Sequence, residues 1–238
     1  MRPIKNEIFK RYREIKSDVK YIFKNPVNLF LLPVFILIYI KNRWSSQHEF
    51  VYLIETKIEG HPLLSKKKES KYQAKRINDY YTAIEIIKQR EIQEVGYNYN
   101  NDEIKNRFER GDFMEVLYVN KTPASYLFIS EKSAYFQQVK CFQKLDKGCF
   151  AIYDVYTFID YRSKGLYETL LSEVLFQMQK KYDKFWLWVM QHNQNSVKVH
   201  DRLHINQIIR VYEEYFRFGF RRFKVNHVNL LLSELIKK

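Results

Sequence analysis

Six glycines and five prolines in 238 residues are too few for a collagen-like repeat, a low-complexity tract or long flexible linkers. Cysteine is scarcer still. Cys141 and Cys149 lie in segments that read as strands and lack metal-ligand spacing, which argues against a disulfide scaffold or zinc ribbon and makes a reducing compartment the default. Acidic residues are short as well, 27 Asp and Glu against 41 Lys and Arg, giving a formal charge of +14. The uncharged apolar run from Asn25 to Ile40 has only 16 residues. As a helix it would reach about 24 Å, less than the roughly 30 Å of a bilayer's hydrocarbon, so a simple spanning helix is not expected.

What the chain has in quantity is apolar and aromatic surface. Hydrophobic residues make up 46% of it, with 19 Tyr and 18 Phe, far too much for a chain that stays unfolded. The length suits one catalytic-sized domain with an appendage, or two small domains. The basic excess fits nucleic acid, an anionic membrane surface or an anionic substrate such as a phosphorylated cofactor. It fits equally a compositional bias toward Lys, because Ile, Asn and Tyr are frequent too.

The N-terminal part differs from the rest. Residues 1–24 carry eight Lys/Arg and three acids and read as a basic helix, and the apolar run after them is closed by Lys41, Arg43 and Trp44. The charged stretch is too long and too acidic for a signal peptide, and no small-residue cleavage site comes after the run. Pro33 breaks the run in its middle. A re-entrant or interfacial segment, with basic flanks meeting lipid phosphates, is one reading and a helix buried on the core is the other. Apolarity on every face favours the membrane.

Phe50 to Ile58 reads as a first strand, stopped by Gly60, His61 and Pro62, and Ser65 to Lys71 as a solvated charged loop. Tyr72 to Val95 has helix-forming composition, with Ile77, Tyr81, Ile84, Ile87 and Ile92 near helical spacing, and Asp102 to Arg110 reads as a short second helix. From Asp112 the pattern turns to strands: a hairpin through Lys121, Thr122 and Pro123, the stretch YFQQVKCFQKL, and Cys149 to Phe158. A helix over Gly165 to Tyr182, a buried strand over Phe185 to Met190, a helix over Asn193 to Leu203 and two long strands broken near Gly219 complete the order. The expected fold is mixed α/β (α+β), with residues 1–48 as an appendage and 49–238 as the main domain.

The chemistry concentrates where the strand ending at Thr157 meets the next helix. Arg162, Ser163, Lys164 and Gly165 run directly into it at Leu166 and Tyr167. A glycine-containing loop at a helix start offers free backbone N–H groups and the positive end of the helix dipole, which suits a pyrophosphate, and Arg162 and Lys164 add charge-assisted contacts. The Gly-Lys-Ser/Thr ending of a triphosphate loop and the glycines of a dinucleotide fingerprint are both absent.

Thr157 with RSKGLY, followed by WLWVMQHNQNSVKVHDRLHI, resembles the GNAT superfamily of acyl-coenzyme A dependent N-acyltransferases. The family loop Arg/Gln-x-x-Gly-x-Gly/Ala falls on Arg162 to Tyr167, with Tyr167 departing from the last position, and the form RxKGxY is similar to a subset that acylates amino sugars. The second signature, Asn-x-x-Ser/Ala with a Tyr four residues on and then Gly-Phe, falls on Asn193, Ser196, His200 and His204-Ile205. His200 thus replaces the Tyr that protonates the departing thiolate, and the Gly-Phe pair is lost. The resemblance covers about Arg107 to Val225. It implies a mostly antiparallel central sheet flanked by helices, acyl-CoA as co-substrate, and pantetheine held by the backbone of Val155, Tyr156 and Thr157 where that strand splays from its neighbour.

Among the titratable residues, His200 with a pKa near neutrality is the expected donor to a thiolate of pKa around 8.5, although a helical His also serves as a packing residue. Asp154, an acid inside an apolar strand, is the candidate general base, with solvent exposure the alternative. Asp112 reads as a turn residue or an acceptor contact. His200 and His204 have a metal-like spacing without a convincing further ligand, so no metal is expected. The acceptor expected from the resemblance is a primary amine of an amino sugar, free or nucleotide- or lipid-linked, with the enzyme cytoplasmic and peripheral to the inner face of a membrane. The competing reading is a non-catalytic membrane- or nucleic-acid-binding module that keeps the fold.

Overall fold

The computed structural model describes residues 49–65, 72–94, 99–136, 141–217 and 220–233. The basic and apolar N-terminal segment falls outside them. Residues 49–214 with 223–238 form one compact unit, which contains the described helices and the centre of the sheet. No helix among the described residues is long and apolar enough to cross a membrane.

Ten strands are described. Eight form one sheet: β1 (Glu49–Lys57), β2 (Tyr72–Ile77), β3 (Phe113–Val119), β4 (Thr122–Ser130), β7 (Cys149–Thr157), β8 (Lys184–Met190), β9 (Gln207–Arg217) and β10 (Phe220–Leu231), in the order β10-β9-β1-β8-β7-β4-β3-β2. β5 (Ser133–Phe136) and β6 (Cys141–Lys144) pair as a separate hairpin. β1 pairs antiparallel with β8 and β9, β3 with β2 and β4, and β4 with β7, whereas β7 and β8 run parallel. This is the mixed, mostly antiparallel sheet expected from the sequence.

Alternation along the strands builds two faces. Phe150 and Ile152 of β7, with Phe185, Leu187 and Val189 of β8, point toward helix α3 (Leu166–Met178), whose Leu166, Leu170, Leu171, Val174, Leu175 and Met178 are all buried. On the other face Tyr126, Phe128, Tyr153, Tyr156 and Phe158 pack against Ile84, Ile87 and Ile104 of helices α1 (Tyr80–Gln93) and α2 (Asn101–Glu109). The β5–β6 hairpin contributes Ala134 to a third cluster with Cys149, Ala151 and Trp186. A fully buried Phe or Leu of this kind stabilises the fold by about 2 kcal/mol. Helix α4 (Gln194–Arg202) buries Val197 and His200.

Two expectations need correction. Tyr72 to Ile77 is not the start of a helix but an edge strand paired antiparallel with Val119 to Met114. The helix begins only at Tyr80, because the Asp79 carboxylate accepts from the Thr82 N–H at 2.8 Å and caps it there. In the same way YFQQVKCFQKL is two short strands rather than one. The start of α2 carries the same signature, the Asn100 side chain accepting from the N–H groups of Asp102 and Glu103.

Candidate active site

The parallel pairing of β7 with β8 runs from Cys149 opposite Lys184 to Ile152 opposite Leu187 and stops. Beyond that point β7 keeps its ladder with β4, and β8 keeps its ladder with β1 as far as Met190. The two strands therefore part into a wedge at their C-terminal ends, the splay expected from the resemblance. Tyr153 and Trp188 stack across its start, with ring centroids 5.5 Å apart and planes 13° apart.

At the same place β7 is bulged. Its register with β4 shifts between Phe128 opposite Tyr153 and Tyr126 opposite Tyr156, so Asp154 and Val155 together stand against Leu127. Asp154 takes a left-handed φ of +46°, which for a side-chain-bearing residue costs about 1 to 2 kcal/mol. Among the described residues neither Asp154 nor Val155 has a ladder partner on β4 or on β8.

Charge holds this bulge from the α1–α2 side. Arg107 Nη1 lies 2.6 Å from Asp154 Oδ2, and Arg90 Nη1 lies 3.1 Å from Asp154 Oδ1. Arg107 is 4% exposed and also reaches Glu103, while its guanidinium covers the Phe128 and Tyr153 rings. Arg90 pairs with Glu94, bonds the Tyr126 hydroxyl and lies over the Tyr156 ring. Next to this group the Tyr153 hydroxyl donates to Asp112 at 2.7 Å, and Arg110 pairs with the same carboxylate. Asp112 is thus a buried acceptor in a network and not only a turn residue.

These contacts bear on Asp154 as general base. Its burial works to raise its pKa, but the fields and hydrogen bonds of Arg107 and Arg90 outweigh it and hold the carboxyl below its usual value. A carboxylate occupied by two guanidiniums is a poor proton acceptor, and this one is turned to the arginines rather than to solvent. Arg90 and Arg107 were not among the expected site residues.

The loop from Thr157 into α3 closes the same end of the sheet. Ser163 and Gly165 both take left-handed φ values, +61° and +71°, and Gly165 is the N-cap of α3 without a side-chain cap. Apart from its chain neighbours, nothing lies within 4 Å of where a Gly165 Cβ would stand. First-turn N–H groups without a side-chain cap suit a diphosphate. Arg162 Nε donates to the Thr157 carbonyl at 3.0 Å and its guanidinium stands 5.4 Å from the Tyr156 ring, while Lys164 Nζ donates to the Asp160 carbonyl. Leu166 itself is core. Thr157 shares a 3.0 Å hydrogen bond with Ser125.

On the α3 side His200 Nε2 lies 2.9 Å from the Tyr167 hydroxyl, which joins the two signature segments directly. The near-neutral pKa expected for His200 is not met. Burial lowers it to about 4, with the Ser196 carbonyl pulling weakly the other way, so the ring is neutral at pH 7. Burial raises the Tyr167 pKa strongly. Asn193 caps α4 by accepting from the Ser196 N–H at 3.2 Å, so these two organise the helix that carries His200. No hydrogen bond joins His200 to Asp154 among the described residues. No group of three or more His, Cys, Asp or Glu there has the arrangement of a metal site.

Residues 80–205, over half of the chain, match the Acetyltransferase (GNAT) family. A comparison with curated proteins gives no match. Similar solved structures include a functionally unknown conserved protein of Staphylococcus epidermidis, 10% identical with a TM-score of 0.49 over 82% of this chain and 68% of that one. An aminoglycoside acetyltransferase from an uncultured soil metagenomic sample is 10% identical, with a TM-score of 0.43 over 58% of this chain and 90% of its own. The ribosomal-protein-S18-alanine N-acetyltransferase of Escherichia coli is 13% identical, with a TM-score of 0.45 over 58% and 81%. The family match spans α1 through α4 and so contains the wedge, the bulge and the loop at α3, and on that ground this chain belongs to the GNAT family and is an acyl-CoA dependent N-acyltransferase.

Proposed function

We propose that this enzyme moves an acetyl or other short acyl group from acyl-CoA to a primary amine of an amino sugar, free or in nucleotide- or lipid-linked form. The observation that carries the reading is the coincidence, at one end of the sheet, of the unpaired Asp154–Val155 bulge with the uncapped start of α3. Arg162, Ser163, Lys164 and Gly165, with the first amides of Leu166 and Tyr167, hold the diphosphate of the coenzyme. The wedge beside Tyr156 and Thr157 takes the pantetheine as a further strand-like element. The amide of Val155, at the bulge, polarises the thioester carbonyl and stabilises the oxyanion, the kind of contact worth about 3 kcal/mol in the barrier.

The neutral amine attacks that carbonyl, the C–S bond breaks, and the amide leaves as coenzyme A thiol forms. His200, neutral at pH 7, stores no proton for the thiolate. The proton lost by nitrogen after attack passes to sulfur, and His200 acts by orienting the Tyr167 hydroxyl as a hydrogen-bonding partner for the leaving group. The amino-sugar acceptor is supported by the RxKGxY form of the loop.

Calorimetric titration with acetyl-CoA, with free ATP as the control for attraction to a +14 chain, tests the first half. Selective saturable binding is expected. Equal weak binding of both would overturn the site. Thiol release from acetyl-CoA in the presence of glucosamine, compared with a peptide amine, tests the acceptor, and preference for the peptide would overturn the amino-sugar reading.

A further inference from the structure

We infer that Arg107, assisted by Arg90, is a positioning residue: by gripping Asp154 it fixes the β7 bulge in the one conformation that turns the Val155 amide toward the acyl carbonyl. The inference rests on the acyltransferase reading and assigns Asp154 a part other than general base. Three observations support it. Asp154 is held at φ +46°, a conformation that an aspartate leaves readily unless its surroundings fix it. Both of its carboxylate oxygens are taken, one by each arginine, from two different helices. The strand at this point is bulged out of register with β4 and lies past the end of its ladder with β8, so these side-chain contacts add to the backbone pairing that positions a residue elsewhere in the sheet.

The arginines are themselves fixed. Arg107 is buried between the Phe128 and Tyr153 rings and reaches Glu103, and Arg90 lies on Tyr156 with Glu94 and Tyr126 as further partners. The position of the bulge is therefore tied to the packing of α1 and α2 on the sheet. A shift of about 1 Å in an oxyanion contact is enough to cost a hundredfold in rate.

The test uses the full chain and acetyl-CoA labelled with 13C at the carbonyl, which requires no acceptor. In the wild type the bound carbonyl resonance should move downfield from that of free acetyl-CoA. In Arg107→Lys, which keeps a buried cation but not the fork, that displacement should fall by half or more while the calorimetric Kd changes less than threefold. Asp154→Ala should lose the displacement entirely, and Asp154→Asn, which tolerates a left-handed φ and still accepts a hydrogen bond, should restore part of it. Circular dichroism and a thermal melt establish which variants fold, and Asp154→Asn carries the comparison if Arg107→Lys does not. An unchanged displacement in folded variants would overturn the clamp and leave the acyltransferase reading standing. Absence of any displacement in a wild type that binds acetyl-CoA would also overturn it. A wild type that does not bind acetyl-CoA at all would overturn both.

Discussion

Replacing His200 by Gln should change how stability depends on pH more than it changes stability at neutrality. His200 is 5% exposed and titrates at about 4 in the folded protein, against 6.5 for an ordinary histidine. Above pH 6.5 the ring is neutral in both folded and unfolded chains and adds no pH dependence. Between 6.5 and 4 the unfolded chain binds a proton that the folded one refuses, so stability falls as the pH falls. The full gap corresponds to about 3 kcal/mol, of which about 2 kcal/mol is already lost at pH 5. Gln cannot titrate but can still reach the Tyr167 hydroxyl, so the variant should lack this loss. Asp154 and Asp79, held below the usual carboxylate range, weaken both proteins alike in acid and cancel in the difference. Urea unfolding followed by tryptophan fluorescence from pH 8 to pH 5 gives the two curves, and over that range the wild type should lose about 2 kcal/mol relative to the variant. Parallel curves would show that His200 is reached by water in the folded state and would remove the neutral Tyr167–His200 pair from the mechanism.

Gly165→Asp should abolish acetyl-CoA binding in calorimetry while lowering stability by only about 1 kcal/mol, because the site has open space but a left-handed φ of +71°. Unchanged affinity in the folded variant would dismiss the α3 loop as the diphosphate site. Tyr167→Phe strips the hydroxyl from His200 Nε2, a buried atom, and should destabilise by about 1 to 3 kcal/mol. In turnover it should lower kcat about tenfold to a hundredfold at nearly constant KM for acetyl-CoA, and a rise in KM alone would mean that Tyr167 only binds.

Much of the fold was legible because the signals were local. The short helix read from Asp102, the helix start at Asn193, and apolar alternation in Cys149 to Phe158 and Phe185 to Met190 map onto observed elements, while the hairpin expected at Lys121 to Pro123 turns at Asn120 and Lys121, with Thr122 and Pro123 already in the ladder. YQAKRI did not show itself, since nothing in six mixed residues favours a strand until β3 offers its edge; Asp79 with Thr82 was the available hint that the helix begins later. In the site, the loop at Gly165 was readable from composition, whereas His200 carries a pKa set by burial, which no local pattern reveals. The partner of Asp154 was closer to hand than it looked. Ile104 and Arg107 lie on one buried face of α2, a cation on an apolar stripe, and an acid in an apolar strand is its natural complement. Pairing two misplaced charges 47 residues apart takes the three-dimensional structure, but suspecting that they answer one another does not.

β2 has a further consequence. It ends the eight-strand sheet with six residues, and among the described residues its far side has no strand beside it. An open edge of that kind is a template on which a second molecule can polymerise. Here Gln73 and Lys75 are exposed, while Arg76 is held by Glu115 and lies over the Phe113 ring. Two copies meeting edge to edge would bring their Lys75 side chains together, so part of the charge that invites polyanions serves at this border as a guard against amyloid-like stacking, and the enzyme should tolerate high concentration best at low salt.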